Sequence, residues 1–529
     1  MRRWNGWGDT TTDHPLHEQA EQFLVERLGA IQSAPSAALE DVLTAVPPSR
    51  LPDHPLIDTS AENRLRHARG QSFPDWVALR SGQIPAFPDG VAFPTSDQDV
   101  RDLLTFAAQN DFKLIPYGGG TSVVGHINVP ADTPPVLTVS LARLNRLRHF
   151  DETSHLATFG AGVAGPDLEA QLRARGFTLG HFPQSFEYST LGGWVVTRSS
   201  GQQSRGYGRI EDLFAGGTLL APAGELTLPP FPGSAAGPDL RQLVLGSEGR
   251  LGILSEATVR VSPLPEKERF FGIFFPDFDA GHTAVRHIMQ AKLPVSMLRL
   301  STGLETETNL ALAGHENLIG LLERLLKFRG VGNEKAMLLV GLTGTADLVD
   351  STRKAVLHLA KQNSGVHVGE QFGQQWQKSR FRTPYLRNTL WDKGVAVDTL
   401  ETAVTWDKVD STIARIETAL HDALGQFGER GHVFTHLSHI YPTGCSIYTT
   451  YLFRLTSDPD ENLHRWQTMK AAVSTAVVTS GGTISHQHGV GKDHAPYLEA
   501  EKGALGMATL RTLAKQFDPD ERLTPGTLL

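Results

Sequence analysis

Cysteine is almost absent: the single Cys445 among 529 residues cannot close an intrachain disulfide, so the fold rests on its core and suits a reducing compartment. Long apolar runs are missing as well. FFGIFF and AMLLVGL have the length of buried strands, far short of the roughly 20 residues a membrane-spanning helix needs. Basic excess is lacking too: Lys+Arg 49 against Asp+Glu 57 leaves a net charge of −8, which excludes nucleic acid as a partner. No apolar stretch follows the two arginines of MRRWNGWGDTTTDHP, and the chain closes on GTLL rather than on a peroxisomal tripeptide. These absences lead us to expect a globular cytoplasmic protein. Internal repeats and low-complexity tracts are also lacking.

What is present is glycine (52) and proline (31), hence many turns, in a chain long enough for roughly two to four domains. Residues 1–86 read as a helical extension (HEQAEQFLVERLGAI, SAALEDVLTAV) broken by proline-rich links and offering no obvious chemistry. Residues 87–264 start with a strand, a helix capped by Ser96, a second strand and a glycine loop, which is α+β or α/β grammar. Residues 265–450 alternate strands such as FFGIFFPDF and CSIYTTYLFRL with long amphipathic helices and form a further domain. Residues 451–529 hold a helix, the loop GGTISHQHGVGKDH and a final helix.

Three clusters carry chemistry. In PYGGGTS (Pro116, Tyr117, Gly118, Gly119, Gly120, Thr121 and Ser122), successive glycines let backbone N–H groups turn toward one anion, such as a pyrophosphate. It is neither GxGxxG nor a P-loop, so neither a Rossmann nucleotide site nor a Walker site is indicated. The second, from His181 to Gly208, packs hydroxyls and paired glycines around one Trp, as a backbone approaching something flat or charged would. A third, GSEGRLGI from Gly246, leads into an apolar strand. Each alone is compatible with a plain turn.

In this order and spacing the three clusters resemble the FAD-binding domain of the vanillyl-alcohol oxidase / para-cresol methylhydroxylase superfamily. With RWNGWGD (Arg3 to Asp9) and SHQHGVGK (Ser485 to Lys492), the whole chain resembles the alkyldihydroxyacetonephosphate (alkylglycerone-phosphate) synthase family. The resemblance implies an α+β architecture: a PCMH-type FAD-binding domain of two subdomains, an α+β cap over the flavin, and a C-terminal segment returning to the site. It implies FAD contacts at residues 116–122 and at Gln184, Ser185, Phe186, Glu187, Tyr188, Ser189 and Thr190. Further contacts fall on Thr197, Arg198, Ser199 and Ser200, and on Gly246, Ser247, Glu248, Gly249, Arg250, Leu251 and Gly252. One departure is Gln184, where synthases similar to this chain carry an acid.

For catalysis the resemblance points to Tyr448, to Arg387 on the substrate phosphate, to Arg299, and to His486 and His488. A phenol serves as acid or base near neutrality only if its pKa is lowered, which nearby cations could do. Tyr448 and Tyr451 are three apart and so cannot share one face of a regular strand. Where similar synthases carry three consecutive histidines, the middle one here is Gln487, which cannot shuttle a proton. GHVFTHLSH also resembles the metal-binding segment of FAD-dependent D-lactate and 2-hydroxyglutarate dehydrogenases, with His432 and His439 seven apart. The matching carboxylate position is Gln487, however, so we expect no metal.

The implied reaction is a redox-neutral exchange, through a flavin N5 adduct, of the acyl group of acyl-dihydroxyacetone phosphate for a fatty alcohol in ether lipid synthesis. Such a flavoenzyme needs an apolar tunnel for a long chain. The alternative is an FAD-dependent dehydrogenase or oxidase of glycerol 3-phosphate or a D-2-hydroxy acid, which would use the same residues. Either way the expected partner is a small anionic substrate, phosphate or carboxylate, with or without an acyl chain. A homodimer without transmembrane segments is expected, and a lipid product is compatible with peripheral membrane contact.

Overall fold

The computed structural model describes every residue except 132, 314 and 315. Its architecture is α+β, as expected. Three parallel strands, Gly90–Ala92, Val136–Ser140 and Lys113–Tyr117, make the first sheet, to which the extension adds the antiparallel pair Ile57–Asp58. All five residues of Val136–Ser140 are buried, as a parallel strand covered on both faces requires. The helix Asp97–Asn110 begins at Ser96, whose Oγ accepts the Asp99 N–H at 3.1 Å while the Asp99 carboxylate accepts the Ser96 N–H at 3.1 Å. This capping box contributes about 1 kcal/mol and sets the strand Lys113–Tyr117, and hence the glycine loop, at the end of a fixed helix.

A second sheet is antiparallel, in the order Leu147–Asp151, Leu156–Gly160, Ile253–Arg260, Phe214–Ala221, Gly224–Leu228. The cap is built on a seven-stranded sheet ordered Val366–His367, Lys267–Phe275, Ala336–Gly344, Met297–Ser301, His432–Ser438, Gly444–Arg454, Val395–Thr405. Alternation sorts its side chains: Phe271 and Phe275 enter the main core with Val285 and Ile288, whereas Phe270 and Phe274 face Leu326, Phe372 and Trp376. The apolar run FFGIFF is therefore covered on both faces, each buried Phe contributing roughly 1.5–3 kcal/mol. The boundary expected at 450/451 falls inside the strand Gly444–Arg454, because the last strand of the cap runs to Arg454 before the helix Pro459–Thr479 begins. The extension packs onto the body: Trp7, Phe73 and Trp76 belong to the core of the cap.

Candidate active site

A cavity of about 560 Å³ lies between the two glycine-rich segments, the cap sheet and the C-terminal loop. All seven residues 116–122 line it, with Gln184, Ser185, Ser189, Thr190, Thr197, Ser199, Ser200, Glu248, Gly249 and Gly252. A Cβ on Gly119 would overlap the Tyr188 carbonyl oxygen, and one on Gly120, where φ is +66°, would overlap the Tyr117 hydroxyl. Backbone thus closes on backbone, a cradle that any side chain would fill. This geometry fits a pyrophosphate-bearing cofactor held through main-chain groups.

The other expected cofactor residues support this wall without lining the cavity. Phe186 stacks on Phe381. The Tyr188 hydroxyl meets that of Tyr385 at 3.2 Å, and the Arg250 guanidinium donates to Asp518 at 3.1 Å and to the Leu523 carbonyl at 2.9 Å. Arg198, in the left-handed region, donates to Gln242, while Glu187, Gly246, Ser247 and Leu251 are likewise outside the lining. Unexpected lining comes from Gly192, Gly193 and Val196, on the helix Leu191–Thr197 that Thr190 caps, and from Trp7, Gln71 and Trp76. Arg2 donates to the Gly119 carbonyl at 2.6 Å and sits over the Tyr188 ring, so the extension braces the cradle.

On the cap sheet, register places Tyr448 between Glu401 on one neighbouring strand and His436 on the other. The Tyr448 ring stacks on His436 at 4.9 Å and meets His488 edge-on at 6.0 Å, and its hydroxyl donates to Thr399 at 3.1 Å. Tyr451 turns to the other face, fully buried, and donates to Asp398 at 3.0 Å. His436 Nδ1 lies 2.9 Å from Glu305, which also receives Arg299 at 2.7 Å. Burial would raise the Glu305 pKa, but Arg299 and His436 overcome it and hold it at about 2. The lowered phenol that the sequence reading required is not what the structure builds: burial pushes Tyr448 well above its ordinary value, and Glu401 and Asp398 push the same way. Tyr448 therefore keeps its proton at neutral pH.

The C-terminal loop hangs between two buried carboxylates. Glu401 accepts the N–H groups of Gln487 and His488 at 2.6 and 2.9 Å, and Glu248 accepts those of Val490 and Gly491 at 2.5 and 2.8 Å. Glu401 is 3.5 Å from His488 Nδ1 and 3.8 Å from His486 Nδ1. Burial alone would raise its pKa, but His488, His486 and the Gln487 amide keep it ionised far below the ordinary range. His488 and Gln487 line the cavity, whereas His486 does not. Its Nε2 accepts from Arg209 at 2.6 Å and lies 2.8 Å from the Tyr441 hydroxyl, so the proton sits on Nδ1, and burial keeps the ring neutral. His486 is thus a brace behind the wall rather than a partner of His488 at the substrate. Position 487 thus holds the loop through its backbone N–H, a contact that does not depend on its side chain.

Arg387 lines the cavity, half-buried, stacked 4.4 Å over Trp76 and donating from Nη1 to the Gln71 carbonyl at 2.6 Å. Its Nε and Nη2 are buried without a partner among the described residues, and burial lowers its pKa to about 10. It stays a cation, aimed for an anion. Arg299 also lines the cavity but is engaged with Glu305 and His436, so it serves the tyrosine face. His432 and His439 go to different partners: His432 Nε2 to Thr308 at 2.9 Å, and His439 Nδ1 to Ser200 and Ser204 at 3.0 and 3.1 Å. Sequence reasoning missed Glu401, Glu305 and His436. For His436 a pointer existed in GHVFTHLSH, midway between the two histidines it singled out.

The family FAD linked oxidases, C-terminal domain, matches residues 264–528, and the FAD binding domain family matches residues 88–228. The chain belongs to the FAD-linked oxidases and is an FAD-dependent enzyme. Within that class it is similar to the alkyldihydroxyacetonephosphate synthases of Dictyostelium discoideum and Caenorhabditis elegans. The identities are 28% and 29%, covering 100% and 98% of this chain and 93% of each relative. A solved alkyldihydroxyacetonephosphate synthase structure superposes with a TM-score of 0.85 at 26% identity, over 99% of this chain and 98% of that one. The expected resemblance holds along the full length.

Proposed function

We propose that the protein exchanges the acyl group of an acyl-dihydroxyacetone phosphate for a long-chain alcohol, which yields the alkyl-dihydroxyacetone phosphate that the synthases it resembles are named for. One observation carries this reading: beside Arg387 and Tyr448 the cavity lining includes a cluster of packed apolar side chains, Leu24, Leu386, Leu390, Phe434 and Leu452. A dehydrogenase of a small hydroxy acid has no use for that apolar lining.

The 116–122 cradle would hold FAD, which when bound would supply an electrophilic ring able to take up electrons. Around it, Arg387 grips the substrate phosphate with its two unengaged nitrogens, which anchors the three-carbon unit beside Tyr448. Tyr448, protonated at rest and held by Thr399, orients the substrate through its hydroxyl as a hydrogen-bonding group rather than as a base. His488, backed by the ionised Glu401, takes the proton of the incoming alcohol as its oxygen bonds to the carbon that loses the fatty carboxylate. The balance is one C–O bond broken and one formed, without net oxidation. Gln487, beside His488, offers hydrogen bonds only. The single buried cysteine suits a cytoplasmic location.

The test is incubation with palmitoyl-dihydroxyacetone phosphate and hexadecanol. Palmitate release matched by ether product, with the flavin left oxidised, is the expected result. Anaerobic loss of the flavin band near about 450 nm with glycerol 3-phosphate or a D-2-hydroxy acid, and no ether product, would establish the dehydrogenase instead.

A further inference from the structure

Directly beyond the glycine cradle the chain turns at Gly125 and presents His126, a side chain with no part in the proposed reaction. Its Nδ1 lies 2.6 Å from the hydroxyl of Ser122, the last residue of the cradle, and its Nε2 lies 3.1 Å from Glu248 Oε2. Glu248 in turn holds the C-terminal loop by the Val490 and Gly491 N–H groups. Ser122, His126 and Glu248 all line the cavity, and the last two are buried. A continuous series of contacts thus runs from the cofactor cradle to the loop that carries His488. The residue types are those of a hydrolytic triad. Both Glu248 oxygens hold loop amides, however, and Ser122 belongs to the cradle, so the series serves position and not nucleophilic attack.

Two observations mark the series as more than packing. Glu248 stands at φ +53°, in the left-handed region, where a non-glycine residue persists only if its surroundings hold it. His126 Nε2 is buried beside a carboxylate yet finds no aligned hydrogen bond among the described residues, so a small turn of the ring would complete the series. The loop presses on this joint: a Cβ on Gly489, at φ +85°, would lie 2.7 Å from His126 Nε2 and 2.8 Å from Glu248 Oε1. Lys492 fastens the same turn, its N–H donating to the Val124 carbonyl at 2.9 Å and its Nζ to that of Asn128 at 2.7 Å. We infer that His126 is a positioning residue that couples cradle and loop. FAD on the cradle fixes Ser122, the Ser122 hydroxyl fixes the imidazole, and the imidazole with Glu248 holds the C-terminal loop against the cavity. Such coupling is reciprocal, so the seated loop tightens FAD binding by the same factor. It requires FAD but not the acyl-for-alkyl exchange proposed above.

The experiment follows two readouts on the full-length protein. One is hydrogen exchange at the Gln487, His488, Val490 and Gly491 amides, with FAD saturating and after its removal. The other is the rate of FAD release from the holoenzyme, read as the rise of free-flavin fluorescence. In wild type the four amides should exchange about tenfold more slowly with FAD. His126→Asn keeps a polar group opposite Ser122 but does not reach Glu248; it should cut that ratio to within about twofold and speed FAD release about fivefold. Gly489→Ala sets a methyl against the joint from the loop side, outside the cavity lining, and should speed FAD release by a similar factor. A purely structural histidine would loosen the loop equally with and without FAD, and that result overturns the inference. So does an unchanged release rate in Gly489→Ala. Should His126→Asn not fold, Gly489→Ala and the wild-type exchange ratio decide, a ratio near one refuting the coupling. Neither readout involves an acyl or alkyl substrate, so a failure of the proposed reaction is separately visible.

Discussion

The glycine cradle and the tyrosine face of the cap hold opposite kinds of site. In the cradle, function lies in what is missing: Gly119 closes on the Tyr188 backbone, Gly118 on the Thr190 side chain and Gly120 on the Tyr117 hydroxyl because no Cβ intervenes. On the cap, function lies in side chains alone, the series Glu305, His436, Tyr448, His488, Glu401, aligned by strand register and by a loop pinned to Glu401. The cradle leaves no room for an added atom at Gly119, whereas on the cap position 487 is held through its backbone N–H. On the proposed function, binding FAD and handling protons fall to separate regions, and mutation should separate them.

The largest effect is expected in the cradle. Gly119→Ala should yield a protein that folds but is purified without yellow colour, since the new methyl meets the Tyr188 carbonyl; normal FAD content would refute the cradle. On the cap, Tyr448→Phe should keep the flavin spectrum and lower kcat by roughly 10²–10⁴-fold. Because burial raises the Tyr448 pKa, wild-type activity should show no alkaline gain from phenol ionisation up to about pH 9, which a pH profile would check. Arg387→Ala should raise KM for a phosphate substrate on the order of 100-fold, with a smaller loss of kcat; unchanged KM would move the phosphate elsewhere.

Glu401→Gln should cost about 10- to 100-fold in kcat by loosening the orientation of His488, with FAD retained. Its counterpart Glu305 gives a stability test. Its pKa falls from an ordinary 4.5 to about 2, so its contribution is full above pH 4.5 and is lost as pH falls toward 2. Thermal melts should show a smaller drop in Tm between pH 5 and pH 3 for Glu305→Gln than for wild type. Smallest of all, His432→Gln should change activity less than about twofold, because His432 meets Thr308 and does not line the cavity.

Much of the fold was legible because its determinants are local. The Ser96 cap, the apolar strands and the glycine runs each state their conformation within a few residues. So did the opposite faces of Tyr448 and Tyr451, which follow from strand period alone. The resemblance located the cradle, although only some of its residues line the cavity while Phe186, Arg250 and others support from behind. Less visible was the extension: nothing in RWNGWGD says that Trp7 reaches the cavity, because its place depends on Asn388, 381 residues away, which receives the Trp7 N–H and returns a hydrogen bond to its carbonyl.

The amino-acid order alone settled the chemistry available: glycine loops for a phosphate-bearing cofactor, arginines for an anion, a tyrosine and histidines for protons, and no disulfide framework. Tertiary structure decided which of these work together. Glu305 lies 131 residues from His436, and Glu401 lies 86 and 87 residues from the amides it holds; no periodicity or motif encodes such pairs. They arise where strand register and loop return bring distant groups into one buried volume. There, desolvation and neighbouring charge set each proton affinity, raising the phenol that the sequence reading required to be lowered, while packing leaves His486 outside the cavity lining.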